Sequence, residues 1–280
     1  MKDVIVKDHL GHGLAASHLA EVMGVKAVIL PKKDNKEEFE AESSRIFNIL
    51  SFFTRNLKTV SFEEREAAEA NGYDIIADLK AGTLPDEVWQ RFASLQLTPS
   101  FTEGLPEYKG MAAGSVLFIP QKLISDGECG VTAAQQSVSP EVFGFLKEAG
   151  VPLVLGQHFH KVNDLAAVQK LADDFGLYVP GMTENEEVFG IRGVAHEKYY
   201  NMYASLKASV GIAGTHTWIL LTMFPDVPQV ILYNKKGVEN WEAIAQAYQA
   251  RGRKIIAIGF DENTDLRELS AKVKNAYETL

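Results

Sequence analysis

One cysteine, Cys129, in 280 residues excludes an internal disulfide and any zinc site built from several thiolates. As a lone thiol it reads as a small filler residue. No apolar run approaches the ~20 residues a membrane helix needs. Met1-Lys2-Asp3 leads straight into a short apolar segment instead of a signal-peptide core, so a cytoplasmic protein is expected. Basic residues are in the minority: 28 Lys and Arg face 37 Asp and Glu, a formal net charge of −9. Such a field repels polyanions unless a local basic patch wins. The basic pair Lys32-Lys33 runs directly into Asp34, Glu37 and Glu38, a solvated loop and helix start. Nucleic acid and anionic lipid are therefore not expected partners. His158 and His160 stand two apart with no third ligand at a metal-site spacing, and the His-Glu-x-x-His pattern is missing, so no metal is expected.

What is present is the composition of a globular chain, 46% hydrophobic and 23% charged, long enough for two domains that each bury a core. Short apolar runs bounded by Gly, Pro or Asp recur at Val4–Val6, Ala27–Leu30, Asp74–Ala77, Val116–Ile119, Pro152–Leu155, Leu177–Val179, Val210–Ala213, Gln229–Tyr233 and Ile255–Ile258. Stretches of helical period lie between them, among them Pro140–Ala149, Asp164–Phe175, Glu197–Lys207, Trp241–Arg251 and Leu266–Leu280. This alternation predicts an α/β fold with parallel sheets, and continuous rather than alternating apolar strands fit burial on both faces. Thr98–Gly114, with two prolines and three glycines and no apolar period, punctuates instead of packing. The chain is accordingly divided at about residue 110 into domains 1–110 and 111–280, with ligand expected in a cleft outside the carboxyl ends of both sheets.

Two stretches look built for a ligand. In the first, Lys7-Asp8-His9-Leu10-Gly11-His12-Gly13-Leu14 follows the first strand and precedes a helix expected to begin near Ala15; its glycines let the backbone turn sharply and approach a ligand. In the second, an apolar strand ends in Gly211-Ile212-Ala213-Gly214-Thr215-His216, a helix follows through Trp218–Met223, and another apolar strand, Val227–Tyr233, comes after it. Backbone N–H groups at such a helix start suit an anion. Thr215 as a simple N-cap predicts similar geometry without a ligand, but a cap needs neither paired glycines nor a histidine.

This order of parts resembles the C-terminal domain of two-domain GT-B glycosyltransferases, and the chain is most similar to the bacterial ADP-heptose-type heptosyltransferases. Val4–Ala20 (VIVKDHLGHGLAASHLA) resembles their first strand and glycine loop, Gly72–Lys80 (GYDIIADLK) a first-domain strand, and Tyr178–Thr183 (YVPGMT) a nucleotide-side loop. The family's late turn carries an acidic residue that Ala213-Gly214-Thr215-His216 lacks, so its donor preference does not carry over. The resemblance implies two Rossmann-like domains with the ligand cleft between them. It puts His12, between Gly11 and Gly13, where the family has an aspartate, as the base that deprotonates the acceptor. It implies phosphate contacts from Lys122 and Thr132, and base and ribose contacts around Met182 and from a carboxylate, any one of Glu184, Glu186 and Glu187. Gly214, Thr215 and His216 would hold the pyrophosphate.

The expected function is a metal-independent glycosyltransferase that moves a sugar from a nucleotide-sugar donor to a hydroxyl acceptor, a saccharide or glycoconjugate, with no cofactor beyond the donor itself. The alternatives are a sugar-nucleotide hydrolase or epimerase and a non-catalytic nucleotide or sugar-phosphate binding protein; fold alone does not choose between them.

Overall fold

The computed structural model describes residues 2–7, 11–51, 54–81, 83–88, 114–120, 137–155, 165–178, 203–224, 226–237 and 240–280. The elements are β1 (Val4–Val6), α1 (Gly11–Met23), β2 (Ala27–Ile29), α2 (Lys36–Leu50), β3 (Leu57–Thr59), α3 (Arg65–Asn71), α4 (Ile75–Ala81), β4 (Val116–Ile119), α5 (Gly144–Glu148), β5 (Leu153–Leu155), α6 (Leu165–Phe175), β6 (Ala208–Ile212), α7 (Thr215–Met223), β7 (Gln229–Asn234), α8 (Trp241–Gln249), β8 (Ile255–Phe260) and α9 (Leu266–Thr279). This is an α/β chain with two sheets, three strands in the order β1-β2-β3 and five in the order β5-β4-β6-β7-β8, every pairing parallel.

Each sheet is extended by a single parallel bridge, Val4 with Tyr73 in the first and Val154 with Tyr178 in the second. With Tyr178 counted as a third position, the second sheet reads 3-2-1-4-5-6, a doubly wound order compatible with Rossmann-like folds. Both sheets thus have a switch point, where successive crossovers leave in opposite directions: beside β1 in the first, between β4 and β6 in the second. At the second of these, Gly211 has φ 146°, and a Cβ placed there would lie 2.1 Å from the Ile119 carbonyl oxygen. Only glycine lets β6 run this close to β4.

The chain forms two compact units, Met1–Leu105 with Gly214–Pro225, and Pro106–Ala213 with Asp226–Leu280. In the first, Ile5, Val28 and Leu30 form a cluster under Val60, which follows β3, and Ala68 of α3, and α1 packs on β1, β2, α2, α4 and α7. In the second, the Phe118 ring meets Phe143 edge to face and Phe175 at a tilt, at centroid distances of 5.1 and 5.0 Å. There α9 lies on β7, β8 and the 3-10 turn Pro140–Phe143, where Ser270 Oγ donates to the Val142 carbonyl at 2.8 Å.

Three local expectations are corrected. Asp74–Ala77, and with it the strand expected over Gly72–Lys80, is not extended: only Tyr73 bridges β1, and Ile75 opens α4. Ile75 and Leu79, one turn apart, are both buried, the period of a helix face; a short apolar run fits either element. Leu177–Val179 supplies one bridge at Tyr178 in place of a strand, with Val179 outside the described residues. The helix expected near Ala15 already begins at Gly11, so Gly11, His12 and Gly13 form its first turn.

Candidate functional site

Two helix starts make up the candidate site. The first is α1, reached from β1 through Lys7 and residues 8–10; from Gly13 to Ala20 every residue is buried. The second is α7, nine residues of THTWILLTM, in which His216 to Leu221 are buried without a break. A helix apolar on all sides belongs inside a fold, and α7 meets this by packing on α1 within the first unit.

The N-cap of α7 is Gly214, not Thr215, in extended conformation. Its N–H donates to Thr217 Oγ1 at 3.1 Å, and its carbonyl accepts the N–H of Trp218 at 3.3 Å. Having no side chain, Gly214 cannot bond the first-turn amides as Ser, Asp or Asn would. A helix N-terminus carries the positive end of the helix dipole, which favours an anion.

His12, the second residue of α1, brings the two starts together. Its ring stands edge-on to Trp218, fourth in α7, with centroids 5.3 Å apart and planes at 75°. Trp218 is buried and His12 half-buried. A candidate base and a candidate anion-binding turn therefore share one wall of the first unit.

Among the described residues, the charge nearest this wall in sequence is Lys7, the first residue past β1. Its Nζ lies 3.1 Å from Asp74 Oδ2 and 3.2 Å from Glu69 Oε1. Burial alone would lower its pKa, but hydrogen bonds and charges from Asp74 and Glu69 outweigh that and raise it. The ammonium stays charged at neutral pH.

Of the residues singled out from sequence, Gly11, His12, Gly13, Gly214, Thr215 and His216 lie on the opening turns of α1 and α7, and His216 is buried. Lys122, Thr132, Met182, Glu184 and the pair His158 and His160 lie outside the described residues. Sequence reasoning passes over Trp218, although it sits in the quoted motif, because a tryptophan in an apolar helix looks like core. It also passes over Lys7, Glu69 and Asp74, which only the fold joins. Among the described residues no group of three His, Cys, Asp or Glu is placed to hold a metal ion, and no helix is long and apolar enough to cross a membrane. Comparison with known proteins finds no family model, no curated protein and no solved structure that matches the chain.

Proposed function

We propose that the protein is a glycosyltransferase of the GT-B type that moves a sugar from a nucleotide-sugar donor to a hydroxyl acceptor in the cytoplasm. The observation that carries the reading is the ring contact between His12 and Trp218, because it sets a candidate base beside the helix start suited to the donor's diphosphate. Parallel sheets with Rossmann-like order support it as well, since such sheets bind nucleotides at their carboxyl edges. In this reaction the acceptor oxygen attacks the sugar's C1 as His12 takes the hydroxyl proton. The C1–O bond to the nucleoside diphosphate breaks, and the electron pair leaves on the phosphate oxygen. The amides that open α7 stabilise that growing negative charge, fixed dipoles that need no reorganisation. The chemistry asks for no metal.

The test is thermal stability with ADP, UDP, GDP, CDP and TDP, followed by assay of nucleotide sugars with and without acceptor. A ligand at a hundred times its dissociation constant adds about 2.7 kcal/mol, so one diphosphate should raise Tm clearly and Thr215→Ala should reduce the rise. No shift with any of the five refutes the reading. Donor consumption that is equally fast without acceptor replaces it with a hydrolase or epimerase.

A further inference from the structure

The cluster of Lys7, Asp74 and Glu69 sits at the switch point of the first sheet. Lys7 is the first residue past β1 and Asp74 the first past the Tyr73 bridge. Tyr73 is fixed there by two backbone bonds, its N–H donating to Asp3 at 2.8 Å and its carbonyl accepting from Ile5 at 3.0 Å. The crossover through α1 leaves β1 on one side and α3 returns the chain on the other, and in parallel sheets this is where ligands bind. The three side chains stay accessible: 26% of Lys7, 43% of Asp74 and 59% of Glu69 is exposed. Each carboxylate gives one oxygen to Lys7 and has a second with acceptor capacity to spare.

The charge pattern selects the ligand. Two carboxylates around one ammonium leave one net negative charge, which repels an anion, while the ammonium at the centre repels a metal ion. A neutral molecule with adjacent hydroxyls suits it, each hydroxyl being donor and acceptor at once. We infer that Lys7, Asp74 and Glu69 form the subsite that binds the hydroxyls of a neutral saccharide acceptor at the first sheet's switch point. This rests on the glycosyltransferase reading for the word acceptor, but not for the binding itself.

The experiment is saturation-transfer NMR and calorimetry of the full chain with a panel of unmodified mono- and disaccharides, beside the nucleoside diphosphate thermal shift. Binding of at least one saccharide is expected. Its dissociation constant should rise about tenfold or more in Asp74→Asn and in Lys7→Met, since each removes a charge-assisted hydrogen bond. Lys7→Arg, which keeps the charge and the ion pairs, should recover part of the loss. The diphosphate shift should be unaltered in all three, which also certifies that they fold. If no saccharide binds, or if Asp74→Asn and Lys7→Met bind it as well as the unaltered chain, the inference is overturned. Saccharide binding that depends on these residues while no diphosphate shifts Tm sinks the glycosyltransferase reading and leaves this one standing.

Discussion

His12 and Trp218 meet edge to face, with ring centroids 5.3 Å apart at 75°, across the packed pair α1 and α7. Such a pair stabilises by about 0.5–1.5 kcal/mol beyond burial. It also holds the half-buried imidazole against a buried ring of the core. An imidazole charged by a proton would keep a favourable partner in the indole.

The first prediction concerns that contact. Trp218→Ala should destabilise the chain by about 3–5 kcal/mol, as large-to-small changes at buried aromatic positions do. A double-mutant cycle of Trp218→Leu with His12→Ala in urea should give a coupling of about 0.5–1.5 kcal/mol. Coupling indistinguishable from zero would mean the rings are neighbours without mutual stabilisation.

His12 should matter for turnover more than for binding. Loss of a general base costs about 10²–10⁴ in rate, so His12→Ala should be nearly inactive in the transfer assay. His12→Asp should retain partial activity with a lower pH optimum. Because His12 touches the fourth residue of α7 and none of the three amides ahead of it supplies that contact, diphosphate affinity by calorimetry should stay within about threefold, under ~0.7 kcal/mol. Normal turnover in both variants moves the base elsewhere.

Gly211 should tolerate no side chain. At φ 146° with a Cβ 2.1 Å from the Ile119 carbonyl oxygen, Gly211→Ala must push β6 away from β4, and soluble expression should collapse. Gly252 has φ 77°, and a Cβ added there would meet nothing within 4 Å; Gly252→Ala should cost only the backbone term, about 1–2 kcal/mol. Equal stabilities for the two alanine variants, read by thermal melts, would contradict the close approach.

Acid should act in part through the start of α9. Asp265 is its N-cap, accepting from Arg267 N–H at 2.8 Å and Glu268 N–H at 2.9 Å. The Glu268 and Arg267 amides hold its pKa below the ordinary aspartate value. A depressed carboxylate pKa gives stability that is present above the unfolded value and lost as the pH falls through the folded one. Asp265→Asn keeps a capping oxygen but cannot titrate, so its stability should fall less steeply below about pH 4 than that of the parent chain. Parallel acid profiles would show that the cap makes no pH-dependent contribution.

The elements legible in the sequence are those whose local signal and tertiary setting agree. Val116–Ile119, Gln229–Tyr233 and Ile255–Ile258 read as buried strands and are β4, β7 and β8 to within two residues. Leu266–Leu280 reads as a helix and is α9. Failures come where the signal is ambiguous or missing. Ile75-Ile76 is as apolar as a strand, and only its partners decide that Ile75 and Leu79 are one helical face. Leu57–Thr59 gives no strand signal because β3 is half-buried to exposed and has no apolar run. At the site, glycines and histidines flag both helix starts, since these residue types are informative by themselves. That Trp218 touches His12, and that Lys7 finds Asp74 and Glu69, depends on pairs far apart in the chain, which no local pattern encodes.

The position of α7 bears on how the chain must be made. The unit that begins at the N-terminus is completed by Gly214–Pro225, and all of Pro106–Ala213 intervenes. During synthesis, α1 leaves the ribosome long before the helix that covers it, so Leu14, Ala15 and their buried neighbours must wait or be shielded. Contacts of such long sequence separation slow folding, because loop closure comes before the contacts that reward it. A fragment cut after Leu105 would carry an uncovered apolar helix and should aggregate, whereas a circular permutant that delivers residues 214–225 earlier should fold faster.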